Sequence, residues 1–294
     1  MATSTPRMQS MSEQVVSELR KEVQRIPVKT SNLCEHSQHE MTGMVRTMNQ
    51  VFRPFGQARL YCALDGQSML RLFNVAERVA PFVDGFKIGL EFFYANGYEG
   101  IHKVNAIGKP LYLDFKLLDN PYTVGRAVQA VLPLRPQLLS VHASGGFEML
   151  RTAASAVASA TDTQQLQGIH LIGITGLSNL TTLDLADQGI GDGMHAHEHR
   201  LAKISIDAGC HGISCLPESI ASLRKEFGPK NLLIVQGLRP KWADSNDQSH
   251  IMTPAEAARH GANVLVIGRP ITLADKPEEA AERVRDEIAS AIAA

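Results

Sequence analysis

Four cysteines in 294 residues, none of them in a C-x-x-C pair, offer neither a disulfide framework nor a thiolate metal site at a recognisable spacing. Lysine and arginine total 29 against 30 aspartate and glutamate, a formal net charge of -1, so no basic surplus exists to neutralise a phosphate backbone. Nucleic acid is therefore not an expected partner. No apolar run approaches the ~20 residues that a membrane-spanning helix needs, and the opening MATSTPRMQSMSEQ lacks the apolar centre of a signal peptide. The expectations are no membrane role and a reducing cytoplasm. What is present, 44% hydrophobic and 20% charged residues, is the composition of a folded globular chain, long enough for one large α/β domain or two smaller ones.

Residues 1–55 differ from the rest. Val15, Leu19, Val23 and Ile26 lie three or four apart between charged residues, which predicts an amphipathic helix, and a second such stretch covers about 40–52. This segment is expected to be an N-terminal helical extension, with 56–294 forming the catalytic domain. From Arg59 onward short apolar runs alternate with helical stretches. The expected strands are RLYCALD ending at Asp65, DGFKIG around Lys87, KPLYLDFK ending at Lys116, QLLSVHA ending near His142, IHLIGIT ending at Thr175, HGISC ending at Cys215, NLLIVQG ending at Gly237 and NVLVIG ending at Gly268. Several are nearly continuous apolar runs, as strands buried on both faces of a parallel sheet must be. Thr253 followed by Pro254 reads as an N-cap and first helical position. Eight alternations in about 235 residues fit a (β/α)8, or TIM, barrel. A doubly wound sheet would want a glycine-rich turn after its first strand, and GQSML after Asp65 does not supply one.

In such a barrel the active site lies at the C-terminal ends of the strands. Those ends carry Asp65, Lys87, Asp114 with Lys116, His142 and Thr175, then Arg239 just past strand seven and Arg269 just past strand eight. Charges at the mouth of a packed barrel are costly unless paired, so the four groups on the first three strands are expected to form one network. Asp114 and Lys116, two apart on a strand, share a face, and Asp119 follows close enough to reach the same ammonium. A lysine between two carboxylates stays protonated. It is an acid, suited to stabilising and protonating a developing carbanion, while a carboxylate beside it repels an anionic substrate group about to leave. GRPIT, with Gly268 at a strand end and Arg269 next, offers N–H groups and a guanidinium fork for phosphate. The loop over 237–252 exceeds the ~12–15 residues usual for unstructured connections and reads as a lid, with Arg239 and Gln248 closing onto the phosphate. H-A-H-E-H, with His195, His197 and His199, is read as a solvated helix start on the outer ring, because its spacing is not H-E-x-x-H and places no third ligand. Cys34, His36 and His39 are assigned nothing.

The ordered motifs ALD (63–65), FKIG (86–89), LDFKLLDNPYT (113–123), VHASGG (141–146), GLRP (237–240), DQ (247–248) and GRPIT (268–272) closely resemble the orotidine 5'-phosphate decarboxylase family across residues 59–275. The resemblance implies decarboxylation of orotidine 5'-monophosphate to uridine 5'-monophosphate, the last step of pyrimidine synthesis, with no metal and no organic cofactor. By that resemblance Lys116 is the proton donor to C6 of the pyrimidine, Asp114 lies beside the departing carboxylate and Lys87 completes the charged array. It further implies a homodimer in which Asp119 reaches the array of the neighbouring subunit and Thr123 contacts the partner's ribose. Asp65 and Lys87 match the ribose position, Ser178 the pyrimidine edge, and Arg239, Gln248, Gly268 and Arg269 the phosphate set. The chain departs from the family pattern at Asn120 to Tyr122, at Val235 and Gln236, and at Asn179.

Two other readings share parts of this pattern. A related sugar-phosphate decarboxylase or aldolase has the D-x-K-x-x-D core and the phosphate loop, but typically an acidic residue where Lys87 stands, and magnesium. A non-catalytic nucleotide-binding barrel is expected to have lost Asp114, Lys116 or Asp119, and all three are present.

Overall fold

The computed structural model describes residues 58–164, 168–177, 179–243 and 252–293. The helical extension expected over 1–55, together with Ser178 and Gln248, lies outside the described residues.

Eight parallel strands close into a barrel in sequence order, each paired with the next and the last with the first. They are β1 (Arg59–Leu64), β2 (Gly85–Ile88), β3 (Leu111–Leu117), β4 (Leu138–His142), β5 (His170–Ile174), β6 (Gly212–Cys215), β7 (Leu232–Val235) and β8 (Val264–Ile267). The connecting helices are α1 (Met69–Val79), α2 (Leu90–Asn105), α3 (Pro121–Val131), α4 (Gly146–Gln164), α5 (Thr182–Asp187), α6 (Gly193–Asp207), α7 (Ile220–Phe227), α8 (Pro254–Arg259) and α9 (Arg269–Thr272), with α10 (Pro277–Ala293) closing the ring. The fold is a TIM barrel, as the alternation predicts. Among the described residues no helix is long and apolar enough to cross a membrane.

The strands are apolar throughout because each serves two cores. Alternate side chains point to opposite faces of a strand, and here one set, Tyr61, Tyr112, Leu138, Ile172, Leu232, Ile234, Val264 and Val266, fills the barrel interior. The other set, including Leu60, Cys62, Leu113, Leu139, Leu233 and Leu265, packs outward with the apolar stripes of the helices. The Tyr61 ring takes up so much of the interior that a Cβ on Gly85 would lie 2.4 Å from it, so β2 must carry glycine there. Following the same alternation upward past Ala63, Gly85, Tyr112 and Ile234 gives Asp65, Lys87, Asp114 and Gln236 as the next inward positions.

Local signals set the helix starts. Asn120 caps α3 by accepting from the Thr123 N–H, and Thr253 caps α8 in a reciprocal box with Glu256, Pro254 following at the first position as expected. The H-A-H-E-H segment lies inside α6 rather than ahead of it. The His195 and His199 rings stack with centroids 4.2 Å apart, and His199 bonds Glu226 and Ser222.

Candidate active site

The four charged groups at the ends of the first three strands form one continuous chain. Lys87 Nζ lies 3.0 Å from both oxygens of Asp65 and 3.9 Å from Asp114 Oδ2, and Lys116 Nζ lies 2.6 Å from that same Oδ2. Asp114 is the centre of the chain and its side chain is wholly buried. Burial would push the Asp114 carboxyl up, but the Lys87 and Lys116 charges, with bonds from Lys116 and Ser140, outweigh it and hold the carboxyl below its ordinary value. A buried carboxylate is thus kept ionised at the barrel mouth.

The strand that carries it is not regular. Leu113 pairs with Leu139 and Leu117 with Val141, so β3 spends four residues where β4 spends two. The excess is a bulge, and Lys116 takes a left-handed φ of 50° within it. Its freed main-chain N–H donates to Ser140 Oγ at 2.8 Å, and that hydroxyl donates to Asp114 Oδ1 at 3.0 Å. The expected shared face of Asp114 and Lys116 is therefore reached through a bulge stapled by a residue of β4.

Two more donors complete the surroundings of Asp114. The buried Tyr112 hydroxyl donates to Oδ1 at 3.2 Å, and Gln236 Nε2 donates to Oδ2 at 3.2 Å from the end of β7. Burial and the neighbouring Asp114 charge raise the Tyr112 phenol well above its usual range, so it remains a donor. Sequence reasoning did not assign Ser140, Tyr112 or Gln236 to the site. Inward parity marks all three once the strand registers are known.

Asp119 is placed differently from its expected position beside the Lys116 ammonium. It is exposed, and its carboxylate accepts from the Asn120 main-chain N–H at 2.6 Å and the Asn120 amide at 2.9 Å. Among the described residues it makes no ion pair with Lys116 of its own chain. Thr123, in the first turn of α3, is likewise exposed.

On the other side of the mouth, Arg239 is buried, its Nη1 donating to the Leu238 carbonyl, and its main-chain N–H bonds the Met252 carbonyl at 3.0 Å, tying the two ends of the long loop together. Gly268 precedes α9 and its carbonyl accepts from Ile271 and Thr272. A Cβ on Gly268 would sit 3.3 Å from Ala63 Cβ, so glycine lets β8 end close against β1. Arg269 follows, exposed. Strands β7 and β8 are neighbours, so Arg239, Gly268 and Arg269 leave the barrel from adjacent positions.

Strand β4 ends in His142, and Thr175 follows β5. Burial first, then the Lys116 and His197 charges, lower the pKa of His142, whose Nδ1 accepts from the Ser144 N–H. Thr175 is buried and its hydroxyl lies 3.1 Å from Oε1 of Glu198, which also accepts from the Leu216 N–H at 2.7 Å. Glu198 thereby ties the end of β5 to the loop after β6. Its burial raises its carboxyl pKa against the hydrogen bonds that Ser219, Leu216 and Thr175 provide. This is the acidic residue of H-A-H-E-H, which the sequence reading passed over as part of a solvated stretch.

The arrangement holds a fixed anion and an ammonium in contact at one side of the mouth, and Arg239 and Arg269 follow the strands at the other. A family model described as orotidine 5'-phosphate decarboxylase / HUMPS family matches residues 58–284. Orotidine 5'-phosphate decarboxylase of Paramagnetospirillum magneticum is 40% identical over 232 residues, 78% of this chain and 97% of that one, and that of Gluconobacter oxydans is 40% identical over 237 residues, 80% and 99%. Among solved structures, orotidine 5'-phosphate decarboxylase of Lactobacillus acidophilus superposes with a TM-score of 0.69 at 28% identity, covering 79% of this chain and 99% of that one.

Proposed function

The chain belongs to the orotidine 5'-phosphate decarboxylase / HUMPS family, and we propose that the linked charges Asp65, Lys87, Asp114 and Lys116 are the centre at which it acts. It is a carboxy-lyase that converts orotidine 5'-monophosphate to uridine 5'-monophosphate in pyrimidine biosynthesis. The observation that carries the assignment of the centre is the buried, ionised Asp114 with the Lys116 ammonium 2.6 Å from it.

The chemistry follows from those charges. The bond between C6 and the carboxylate breaks, carbon dioxide leaves, and the electron pair stays on C6. The Lys116 ammonium opposes that negative charge as it develops and transfers a proton to C6, regaining one from solvent afterwards. Stabilisation of this kind is strongest where donors are preorganised and water is excluded. Asp114 repels the substrate carboxylate in the bound state and loses that repulsion as carbon dioxide departs, so the interaction favours the transition state over the ground state. Lys87 and Asp65 hold the ribose hydroxyls. Arg239, Gln248, Gly268 and Arg269 bind the phosphate, and Ser178 the pyrimidine edge.

The working unit is a homodimer in which Asp119 and Thr123 serve the neighbouring protomer's site. Supporting this, both are exposed, and the same loop and helix start expose Leu118 and Tyr122, 56% and 76% accessible. Large apolar side chains so exposed beside a site are characteristic of an association surface. A cytoplasmic location fits the free, buried thiols of Cys62, Cys210 and Cys215. Lys87 speaks against the sugar-phosphate reading, because its ammonium stands between the two carboxylates that would otherwise face a divalent cation.

Loss of orotidylate absorbance, followed with chelator-treated protein, tests the assignment. Wild type turns over and Lys116→Ala does not, although it folds. Removing one preorganised stabilising group costs about 10²–10³ in rate, and removing the proton donor as well costs more. A Lys116→Ala protein retaining more than a few per cent of wild-type turnover refutes the assignment.

A further inference from the structure

We propose that Gln236 is a positioning residue that locks Asp114 in the orientation facing the substrate carboxylate. The inference rests on the charged centre proposed above, and the observation behind it is the bond from Gln236 Nε2 to Asp114 Oδ2 at 3.2 Å. A carboxylate only accepts, so the amide nitrogen is the atom that must face it.

An ionised carboxylate offers about four lone-pair sites, and at Asp114 four donors fill them. Tyr112 and Ser140 take Oδ1, and Lys116 and Gln236 take Oδ2. Three of these donors stand on β3 or the adjacent β4, and would allow the carboxylate to swing away from that wall. Gln236 follows β7, four strands from β3 in an eight-strand barrel and hence on the opposite wall. Its bond is the one that spans the mouth. With it in place the carboxylate cannot rotate to relieve contact with an incoming anion, and no lone pair is left to accept a water. Gln236 also lies three residues before Arg239, on the loop proposed to grip the phosphate, so one short segment serves both the phosphate and the carboxylate.

The test uses Gln236→Met, close in size but without a donor, and Gln236→Glu. For Gln236→Met, kcat on orotidine 5'-monophosphate should fall roughly tenfold, the scale of losing one hydrogen bond to a charged group. KM and the affinity for uridine 5'-monophosphate should stay within about twofold, since the phosphate groups are untouched. Gln236→Glu should be slower still at neutral pH and should regain activity as pH falls, because its protonated form donates again. Lys116, Lys87 and Tyr112, with Asp65 beyond Lys87, are common to all variants, so a difference between their pH profiles reports on position 236. An unchanged kcat in Gln236→Met, a loss confined to KM, or a Gln236→Glu profile parallel to wild type overturns the proposal. The Asp114 carboxyl, followed by carbon-13 NMR without substrate, should titrate higher in Gln236→Met than in wild type. That readout separates the two ideas: a wild type that does not decarboxylate orotidine 5'-monophosphate refutes the functional reading, whereas an unmoved Asp114 titration refutes the role of Gln236 alone.

Discussion

Lys116 closes on Asp114 at 2.6 Å across a distortion of its own strand, with a left-handed φ of 50° at the lysine itself. Non-glycine residues rarely hold that conformation, which costs about 1–2 kcal/mol. It persists because the bulge is stapled: the Lys116 N–H that leaves the ladder finds Ser140 Oγ, and that hydroxyl passes the bond on to Asp114. Local strain at a site is sustained by the structure around it.

Ser140→Ala tests that dependence. It strands the Lys116 N–H and removes one of the four donors to a buried carboxylate. Leaving a buried polar group unsatisfied costs about 1–3 kcal/mol, so the unfolding midpoint should drop by several degrees. Because the bulge aims the lysine, kcat should fall about tenfold or more, whereas a remote destabilising change of equal size would leave kcat intact in the folded fraction. Denaturation curves and initial rates on the same preparation decide it; a Ser140→Ala protein with wild-type kcat would show that Ser140 does not hold the lysine.

This staple also marks where the sequence stops being legible. The barrel and its strand ends could be read within two residues, because eight apolar runs alternate with helices and GQSML after Asp65 lacks the glycine-rich turn of a doubly wound sheet. The chain of charges at the ends of β1, β2 and β3 was legible too, since period two sends Asp65, Lys87 and Asp114 inward after Ala63, Gly85 and Tyr112. A bulge leaves no such trace. It depends on how β3 registers against β4, and Ser140 in isolation is an ordinary strand serine. Glu198 was missed for a related reason: three flanking histidines made its segment look solvated, and only the packing of α6 against β5 and β6 buries it. Nearness in sequence does not give Asp119 a place beside the Lys116 of its own chain: its carboxylate accepts from the Asn120 main-chain N–H and amide instead.

Asp114 should leave a signature in acid. Its carboxyl lies below the ordinary value of 3.8 in the folded protein, so the unfolded chain binds the proton more tightly and protonation favours unfolding. Its stabilising contribution is therefore complete above that value and is lost as pH falls through it towards the folded value. Asp114→Asn removes the contribution and leaves Lys87 and Lys116 without their shared carboxylate oxygen. Because Lys116 is 30% accessible, solvent softens the loss, and about 2–3 kcal/mol is expected at pH 7. The gap between wild type and variant should narrow below about pH 4. Urea unfolding at pH 7 and pH 3.5 measures it, and a gap that does not change with pH means Asp114 is not ionised as described.

Arg269→Ala should weaken catalysis although the residue stands across the mouth from the bond that breaks. If Arg269 binds the phosphate, that remote contact offsets the cost of seating the substrate carboxylate against Asp114. A charge-assisted contact is roughly twice as strong as a neutral hydrogen bond, so kcat/KM for the nucleotide should fall by at least about tenfold. Orotidine, which has no phosphate, should be decarboxylated at nearly the same slow rate by both proteins. Equal proportional losses for nucleotide and nucleoside would show that Arg269 does not bind phosphate.

A site shared between two protomers would make the most distinctive demand. If Asp119 completes the centre of the neighbouring protomer, Lys116→Ala and Asp119→Ala homodimers are inactive for different reasons. A mixed dimer then holds one site with Lys116 from the second chain and Asp119 from the first, both intact, and a second site carrying both lesions. Random reassociation makes about half of all dimers mixed, and one intact site in each gives roughly a quarter of wild-type activity, provided subunits exchange. Activity should therefore appear when two nearly dead proteins are mixed, briefly dissociated and allowed to reassociate. Within one chain Asp119 is occupied by Asn120 and stands apart from the Lys116 to Asp114 pair, so a site confined to one protomer would leave it idle. Should native mass analysis find mixed dimers while the mixture stays as inactive as its components, Asp119 does not act across the interface.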